Sequence, residues 1–255
     1  MTDPVAQAAD VLKPAHQILV FSGAGLSTES GLPDFRGPDG LWKTVDPDDF
    51  TIERFVENRD LRVRGWRMHV DGELWGARSP VQPNKGHAAI VRLQEKGRLA
   101  GVVTQNVDGL HFKSGLDDDM VAELHGNVRN SRCMRCGSRW STETVLMWVE
   151  AGEEDPTCPT CEGMVKTDTI MFGEMLPDEE VRQAGMFLAM CDAVLVVGST
   201  VSVWPAADTV FRAAHQLKPI VIINKGPTEA DHLAAMRIDA AIGDVLPNLV
   251  DLILA

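Results

Sequence analysis

The chain predicts a doubly wound parallel α/β sheet carrying a helical insert and a small cysteine-bearing module. Three observations lead there. Apolar runs of strand length end in Gly, Ser, Thr or Asn and alternate with helical segments. A stretch rich in Trp, Arg and Asp separates the first two of these runs. Two Cys-x-x-C pairs sit in a segment poor in apolar residues.

In chain order, residues 5–16 predict a short helix that leads into QILVFSG (17–23), an apolar run suited to a buried parallel strand. AGVVTQN (100–106), AVLVVGST (193–200) and PIVIIN (219–224) have the same character, the last after a helical stretch at 205–217. LPNLVDLILA (246–255) predicts a closing amphipathic helix. Residues 37–86 form the expected helical insert, and residues 130–168 the small module. Residues 1–36, 87–129 and 169–255 remain for the sheet and its helices. Within the module, EAGEEDPT (150–157) reads as a linker, and so little apolar sequence calls for a metal to hold the segment together.

With 255 residues the chain can build one large domain with a small satellite. Its 37 acidic against 24 basic side chains leave a net charge of −13, which repels phosphate backbones and argues against direct nucleic-acid binding. The most basic stretch, with Arg59, Arg62, Arg64 and Arg67, also holds Asp60 and reads as a solvated helix face. The first residues lack the basic start and apolar run of a signal peptide, and no apolar stretch reaches the roughly 18 residues of a membrane span. Paired cysteines in Cys-x-x-C knuckles point to metal ligands in a reducing compartment, so a cytoplasmic protein without membrane contact is expected.

Cys133, Cys136, Cys158 and Cys161 can close a tetrahedral Zn²⁺ site; a full shell of four sulfurs leaves no open position, so the metal is expected to be structural. Cys191 reads as an ordinary buried thiol. His125, shortly before the first pair in ELHGNVRNSRCMRC, is then not needed as a ligand, and is either a structural imidazole or a base. VFSGAGLSTESGLPDFRG (20–37) places Gly23 and Gly25 after a strand and before an expected helix, where backbone amides can approach a pyrophosphate. Thr28 stands where a G-x-G-x-x-G pattern needs its third glycine, and Asp34-Phe35-Arg36 looks like a mobile flap over a cofactor. TQNVDGLH (104–111) puts Gln105, Asn106 and Asp108 at a strand mouth, where open α/β sheets bind ligands; Asn and Asp also cap helices there.

Taken together, these stretches resemble the sirtuins, the NAD-dependent protein deacylases, from about Val20 to Pro247. The resemblance runs through Gly23-Ala24-Gly25-x-Ser27, Gly31-x-Pro33-Asp34-Phe35-Arg36, Thr104-Gln105-Asn106-Val107-Asp108 and Leu124-His125-Gly126. It continues through both cysteine pairs, Phe172-Gly173-Glu174, Gly198-Ser199-Thr200 and Val203-x-Pro205-Ala206. It implies a Rossmann-like NAD-binding sheet, with NAD consumed as a co-substrate. His125 is implied as the general base, with the zinc well away from it in the small module. The Gly23 loop and residues 198–200 would hold the phosphates and ribose, with Asn106 and Asp108 at the nicotinamide end. Further implied NAD contacts are Trp42, Val107, Asn224, Lys225, Gly226 and Ile242. The acyl oxygen would attack the ribose as nicotinamide leaves, and His125 would then deprotonate a ribose hydroxyl that captures the acyl group. An acyl-lysine protein or peptide would bind extended, between Phe172-Gly173-Glu174 and the segment containing Val201 and Val203.

Two departures stand out. The family's acidic-acyl preference rests on a Tyr-x-x-Arg pair, and this chain has no tyrosine. An ungapped reading places Trp66 and His69 there as the acyl-pocket residues, so uncharged acyl groups are expected, with an acidic chain tolerated only at a pH that charges His69. Gly198-Ser199-Thr200 reverses the commoner order of its two hydroxyl residues. Alternatives are a nicotinamide-dependent oxidoreductase, a mono-ADP-ribosyltransferase and a zinc-ribbon binding module. Lack of tyrosine excludes a Tyr-Lys proton relay for the first, and the acidic balance opposes nucleic acid for the last.

Overall fold

The computed structural model describes residues 3–37 and 40–255. Met1 and Thr2, at the start of the expected sheet segment, and Pro38 and Asp39, in the expected insert, lie outside the described residues. The first part of the chain runs α1 (Pro4–Leu12), β1 (Ile18–Ser22), α2 (Ile52–Glu57), α3 (Arg59–Asp71), α4 (Lys85–Glu95) and β2 (Leu99–Thr104). After α5 (Leu110–Lys113) and β3 (Val121–Glu123) come β4 (Gly126–Cys133), β5 (Arg139–Ser141), α6 (Thr142–Glu150) and β6 (Val165–Thr169). The last part is α7 (Asp178–Met190), β7 (Ala193–Val197), α8 (Asp208–His215), β8 (Ile220–Ile223), β9 (Met236–Ile238) and α9 (Ile242–Leu254).

Six strands form one parallel sheet in the order β3-β2-β1-β7-β8-β9. Connections diverge between β1 and β7, so the loops after these two strands open a crevice at the carboxyl edge. Every residue of β1, β2, β7 and β8 is buried, as expected for strands covered on both faces. One apolar layer packs α1, α4 and α9 onto the sheet, and the other packs α7 and α8. The three-residue edge strands β3 and β9 were not predicted, because neither carries an apolar run long enough to stand out.

Two local expectations change. The glycine loop does not open an α-helix: Ala24–Leu26 and Thr28–Ser30 are single 3₁₀ turns. Gly31, with φ of 97°, ends the second turn, and the proline at 33 disfavours helix in the residue before it. The closing helix starts at Ile242 and carries Pro247 inside. That proline costs about 3 kcal/mol or more, but Ile242, Val245, Leu246, Leu249, Val250 and Ile253 bury on one face at roughly 1.5–3 kcal/mol each. Burial wins. Among the described residues no helix is long and apolar enough to cross a membrane.

The second sheet, β5-β4-β6, is antiparallel. It has a small core of its own: Cys133, Cys158, Val145, Leu146 and Val165 pack with Trp66, which arrives from α3. Trp66 is therefore a core residue shared by the insert and the module, and the acyl-pocket role expected for it is corrected.

Arg59, Arg64 and Arg67 of α3 lie on the solvated face expected of them, but Arg62 does not. Arg62 is 8% exposed and grips Asp155 with Nε and Nη2 (2.9 and 2.7 Å), while its Nη1 donates to the Phe55 and Val56 carbonyls. Arg67 pairs with Glu154 at 2.6 Å. The acidic stretch read as a linker is thus the counterpart of α3. Arg62→Ala would leave a half-buried carboxylate and two carbonyls unmatched, so urea unfolding should show a loss of about 3 kcal/mol. Arg67→Ala, at an exposed pair, should cost under about 1 kcal/mol. Equal losses for the two would contradict this account.

Candidate active site

The loops after β1 and β7 cross at backbone distance. Gly23 N–H donates to Val197 O (3.1 Å) and Gly25 N–H to Gly198 O (2.9 Å). Gly198 has φ of 62°, and a Cβ there would lie 2.3 Å from Leu26 N, so only glycine allows the crossing. Beside it opens a cleft of about 1050 Å³. Its walls include Gly23, Ala24, Gly25 and Ser27 from the first loop, and Gly198, Ser199 and Thr200 from the second. Asp34, Phe35, Arg36 and Trp42 line it from the insert side, and Asn224, Lys225 and Gly226 from the loop after β8.

At the mouth of β2 the polar groups interlock. Ser27 Oγ donates to Asp108 Oδ2 (2.7 Å), and Leu110 N–H donates to Asp108 Oδ1 (2.9 Å). The Asn106 amide donates to Gly23 O (3.2 Å) and Ser27 Oγ (3.3 Å). Gln105 Nε2 donates to Ser199 Oγ (2.7 Å), linking the β2 and β7 loops. Burial pushes the Asp108 carboxyl above its ordinary value, against the pull of its Leu110 and Ser27 hydrogen bonds.

His125 sits where the large sheet passes into β4. Gly126, at φ of 66°, lies so close to the Asp168 carbonyl that a Cβ would fall 1.8 Å from it. Ile170 N–H then donates to His125 O at 2.8 Å. The imidazole Nδ1 lies 3.1 Å from the Gln105 carbonyl, which can only accept, so Nδ1 carries the proton and Nε2 keeps its lone pair. Burial lowers the His125 pKa, with the Gln105 hydrogen bond opposing. A neutral imidazole with a free Nε2, in one cleft with an amide and a carboxylate, can act as a base.

The flap residues are braced by their own turn: Gly37 N–H donates to Asp34 Oδ1 (2.8 Å), Leu41 N–H to Asp34 O and Trp42 N–H to Phe35 O. Trp42 contacts the rings of Phe35 (5.0 Å) and Phe50 (4.9 Å). On the opposite wall the Phe172 N–H donates to Phe50 O, and its C=O accepts from Ile52 N–H. The backbone of Phe172 is thus committed to the insert. Gly173 and Val203 also line the cleft. The Glu174 carboxylate is taken up inside the protein by Lys166 (3.0 Å), Arg132 (2.9 Å) and Met171 N–H (3.0 Å).

Besides Trp66, two expected contacts lie elsewhere, and a third lines the cleft in a form the sequence did not anticipate. Val201 turns its side chain into the core under α8, and its N–H donates to Ser199 Oγ. Ile242 is buried in the layer with α4 and lies outside the cleft lining. His69 does line the cleft but is 7% exposed, its Nδ1 accepts the Ala77 N–H (3.1 Å), and burial pushes its pKa down to about 4. Acidification therefore does not make it the cation that the sequence allowed. Phe50, Met68, Trp75 and Lys166 also line the cleft. Nothing in their spacing marks them. Ser22 and Thr104, polar residues ending apolar strands at paired register positions, did leave a signal.

The buried imidazoles set the acid stability. Burial lowers His69 and His87 from 6.5 to about 4 and His111 to about 3, the last with help from neighbouring His87. Their folded pKa values lie below the unfolded one, so the stability they contribute is complete above pH 6.5 and is lost as pH falls toward 4. Glu123 works oppositely: burial raises it from 4.5 to about 7, so its contribution is lost as pH rises through 7. Asp108 and Glu180 are also raised and act with Glu123, but His125 joins the other three imidazoles. The lowered carboxylates of Glu143, Glu150, Asp192 and Asp239 also lose stability in acid, so the melting temperature should fall from pH 6.5 to 5. A flat or rising Tm over that window would contradict the assignment.

A doubly wound sheet with a glycine crossing at its switch point and an amide, a carboxylate and an imidazole alongside defines a dinucleotide-site protein. A model of the Sir2 family matches residues 23–205, and the chain belongs to that family. It is 38% identical to the NAD-dependent protein deacetylase of Rhodopseudomonas palustris, over 98% of this chain and 97% of that one. It superimposes with a TM-score of 0.88, at 34% identity, on a structure solved for the mechanism and regulation of Sir2 enzymes, covering 99% of this chain and 98% of that one. A Sir2 complex with a p53 peptide and NAD+ gives 0.83 at 30% identity, over 95% of both chains.

Proposed function

We propose that this chain deacylates lysine side chains with His125 as the base and with Asn106 and Asp108 at the nicotinamide end of NAD. The chain is an NAD-dependent protein-lysine deacylase: the acyl group passes to ADP-ribose, and nicotinamide is released. The observation that carries the residue assignment is the His125 Nδ1 to Gln105 carbonyl contact of 3.1 Å, which leaves Nε2 able to take a proton. Asp108, anchored by Ser27 and Leu110, and Asn106, anchored by Gly23 and Ser27, present a rigid amide and acid to the carboxamide end. The crossed glycine loops offer backbone amides to the phosphates. The acyl-lysine strand docks beside Gly173 and Val203, since Phe172 already bonds to the insert.

Four thiol sulfurs within 4.8 Å of one another fit one structural Zn²⁺, held by Cys133, Cys136, Cys158 and Cys161. It supplies folding free energy to the small module and no chemistry to the reaction. Four thiolates must stay reduced to serve, which supports a cytoplasmic setting.

For the acyl group, neutral His69, Gly65 and Met68 line the cleft from α3, and Arg64 lies 3.8 Å from Asp49, which already matches its charge. Acetyl-lysine should outrun succinyl-lysine in kcat/KM at pH 8, and lowering the pH to 6 should not rescue succinyl, because His69 titrates near 4. A panel of acyl-lysine versions of one peptide, incubated with NAD and read by mass spectrometry, tests both levels. Nicotinamide and O-acyl-ADP-ribose should form in step. NAD reduction, or ADP-ribose left on protein with no deacylation, would refute the function; faster succinyl turnover would refute only the pocket.

A further inference from the structure

Beneath the Ser27, Asn106 and Asp108 cluster runs a chain of buried polar groups that the reaction as described does not touch. Ser22 Oγ donates to Thr104 Oγ1 (2.8 Å), and Thr104 Oγ1 also accepts the backbone N–H of Asn106 (3.1 Å). His111 Nε2 lies 2.9 Å from Ser22 Oγ. Ser22 has a single proton, spent on Thr104, so it must accept here, and His111 carries its proton on Nε2. Its Nδ1 is then a bare acceptor, buried and without a protein partner. His87 is the complement. Its Nδ1 accepts the Asn84 N–H (3.3 Å), so its proton is on Nε2, which is also buried and unpartnered. The two rings are neighbours, with centroids 5.3 Å apart.

Two adjacent buried rings therefore leave one orphan donor and one orphan acceptor, a match that a single bridging water completes. The ends of this chain both reach the nucleotide site. At the far end, the Asn84 side chain donates to Leu26 O (2.7 Å) and Ser30 Oγ (3.0 Å) in the loop after β1. At the near end, Thr104 holds Asn106.

We propose that His111 and His87 are positioning residues for nicotinamide cleavage, joined by one buried water into a neutral relay that holds the Asn106 backbone through Ser22 and Thr104. Satisfied buried networks fix a single geometry, because each broken link strands a polar group in low dielectric. Burial keeps both rings uncharged, which preserves the donor and acceptor order along the relay. The proposal rests on the assignment of Asn106 to the nicotinamide end.

The test compares His111→Phe, which removes the donor, with His111→Gln, whose amide can restore a donor near the Nε2 position. The Phe variant should lose about tenfold in nicotinamide exchange and kcat, the rate equivalent of one buried hydrogen bond. Its peptide KM should be unchanged, and the Gln variant should recover most of the loss. Exchange at the wild-type rate in the Phe variant, or a Gln variant no better than Phe, overturns the relay. In the unmutated protein, ¹⁵N NMR should show both rings protonated at Nε2; an Nδ1–H tautomer at His111 overturns it whether or not the variants fold. A crystal structure should show one water bridging His87 Nε2 and His111 Nδ1, and its absence overturns the His87 link. Asn106→Ala, measured alongside, should abolish exchange. If it does not, the assignment of Asn106 falls, a failure distinguishable from loss of the relay alone.

Discussion

His125→Ala should lower kcat for deacylation by about 10²- to 10⁴-fold while NAD affinity stays near that of the unmutated protein. The two effects separate because different parts of the cleft carry them. On the proposed assignment NAD would face the glycine crossing and the Asn106 and Asp108 pair, whose hydrogen bonds do not involve the imidazole. The base is assigned to the step after nicotinamide has left, so nicotinamide exchange should survive in the Ala variant and fail in Asn106→Ala. In the unmutated enzyme the acid limb of the kcat profile should have its midpoint below 6.5, since burial lowers the His125 pKa. Activity is then lost as pH falls through that lowered value, when Nε2 takes up a proton. Deacylation by the Ala variant near the normal rate, or a midpoint well above 6.5, would point to another base.

Removing the metal should disrupt the acyl side of the cleft more than the NAD side. Zinc binding to peptides with such ligand sets is worth about 10–16 kcal/mol, more than a small module can replace by burial. Cys133 and Cys158 share a core with Val145, Leu146, Val165 and Trp66. Through Trp66 the damage reaches α3, which also lends Gly65, Met68 and His69 to the cleft. Cys133→Ser or chelation should therefore strip hydrogen-exchange protection from α6, β4 and β6, and lower kcat/KM for the peptide severalfold. NAD affinity should change less, because the glycine crossing lies in the other sheet. A zinc-free variant with full protection and full peptide turnover would sink this account.

The chemistry-bearing loops were legible because their constraints are local. A glycine at φ of 62° and four thiols in two knuckles leave marks at fixed spacings that need no partner to be read. The four longest strands of the parallel sheet were legible for the same reason, since burial on both faces forces a continuous apolar run. What failed depended on distant contacts. Trp66 and His69 follow each other at helical spacing, and the sequence gives no sign that the indole turns into the module while the imidazole accepts from Ala77. Arg62 reads as solvent-facing with its neighbours on α3 until Asp155 arrives from far along the chain and buries it.

By itself the sequence determined the doubly wound sheet, the four metal ligands, and the residue types at the nucleotide crossing and at position 125. Only the tertiary structure decided that Nδ1 of His125 is held by Gln105, that His87 and His111 lie side by side, and that the insert and module share a core. The reason is physical. A backbone conformation or a burial period is paid within a few residues and shows in composition, whereas a tautomer, a lowered pKa or a buried ion pair depends on groups that folding alone brings together.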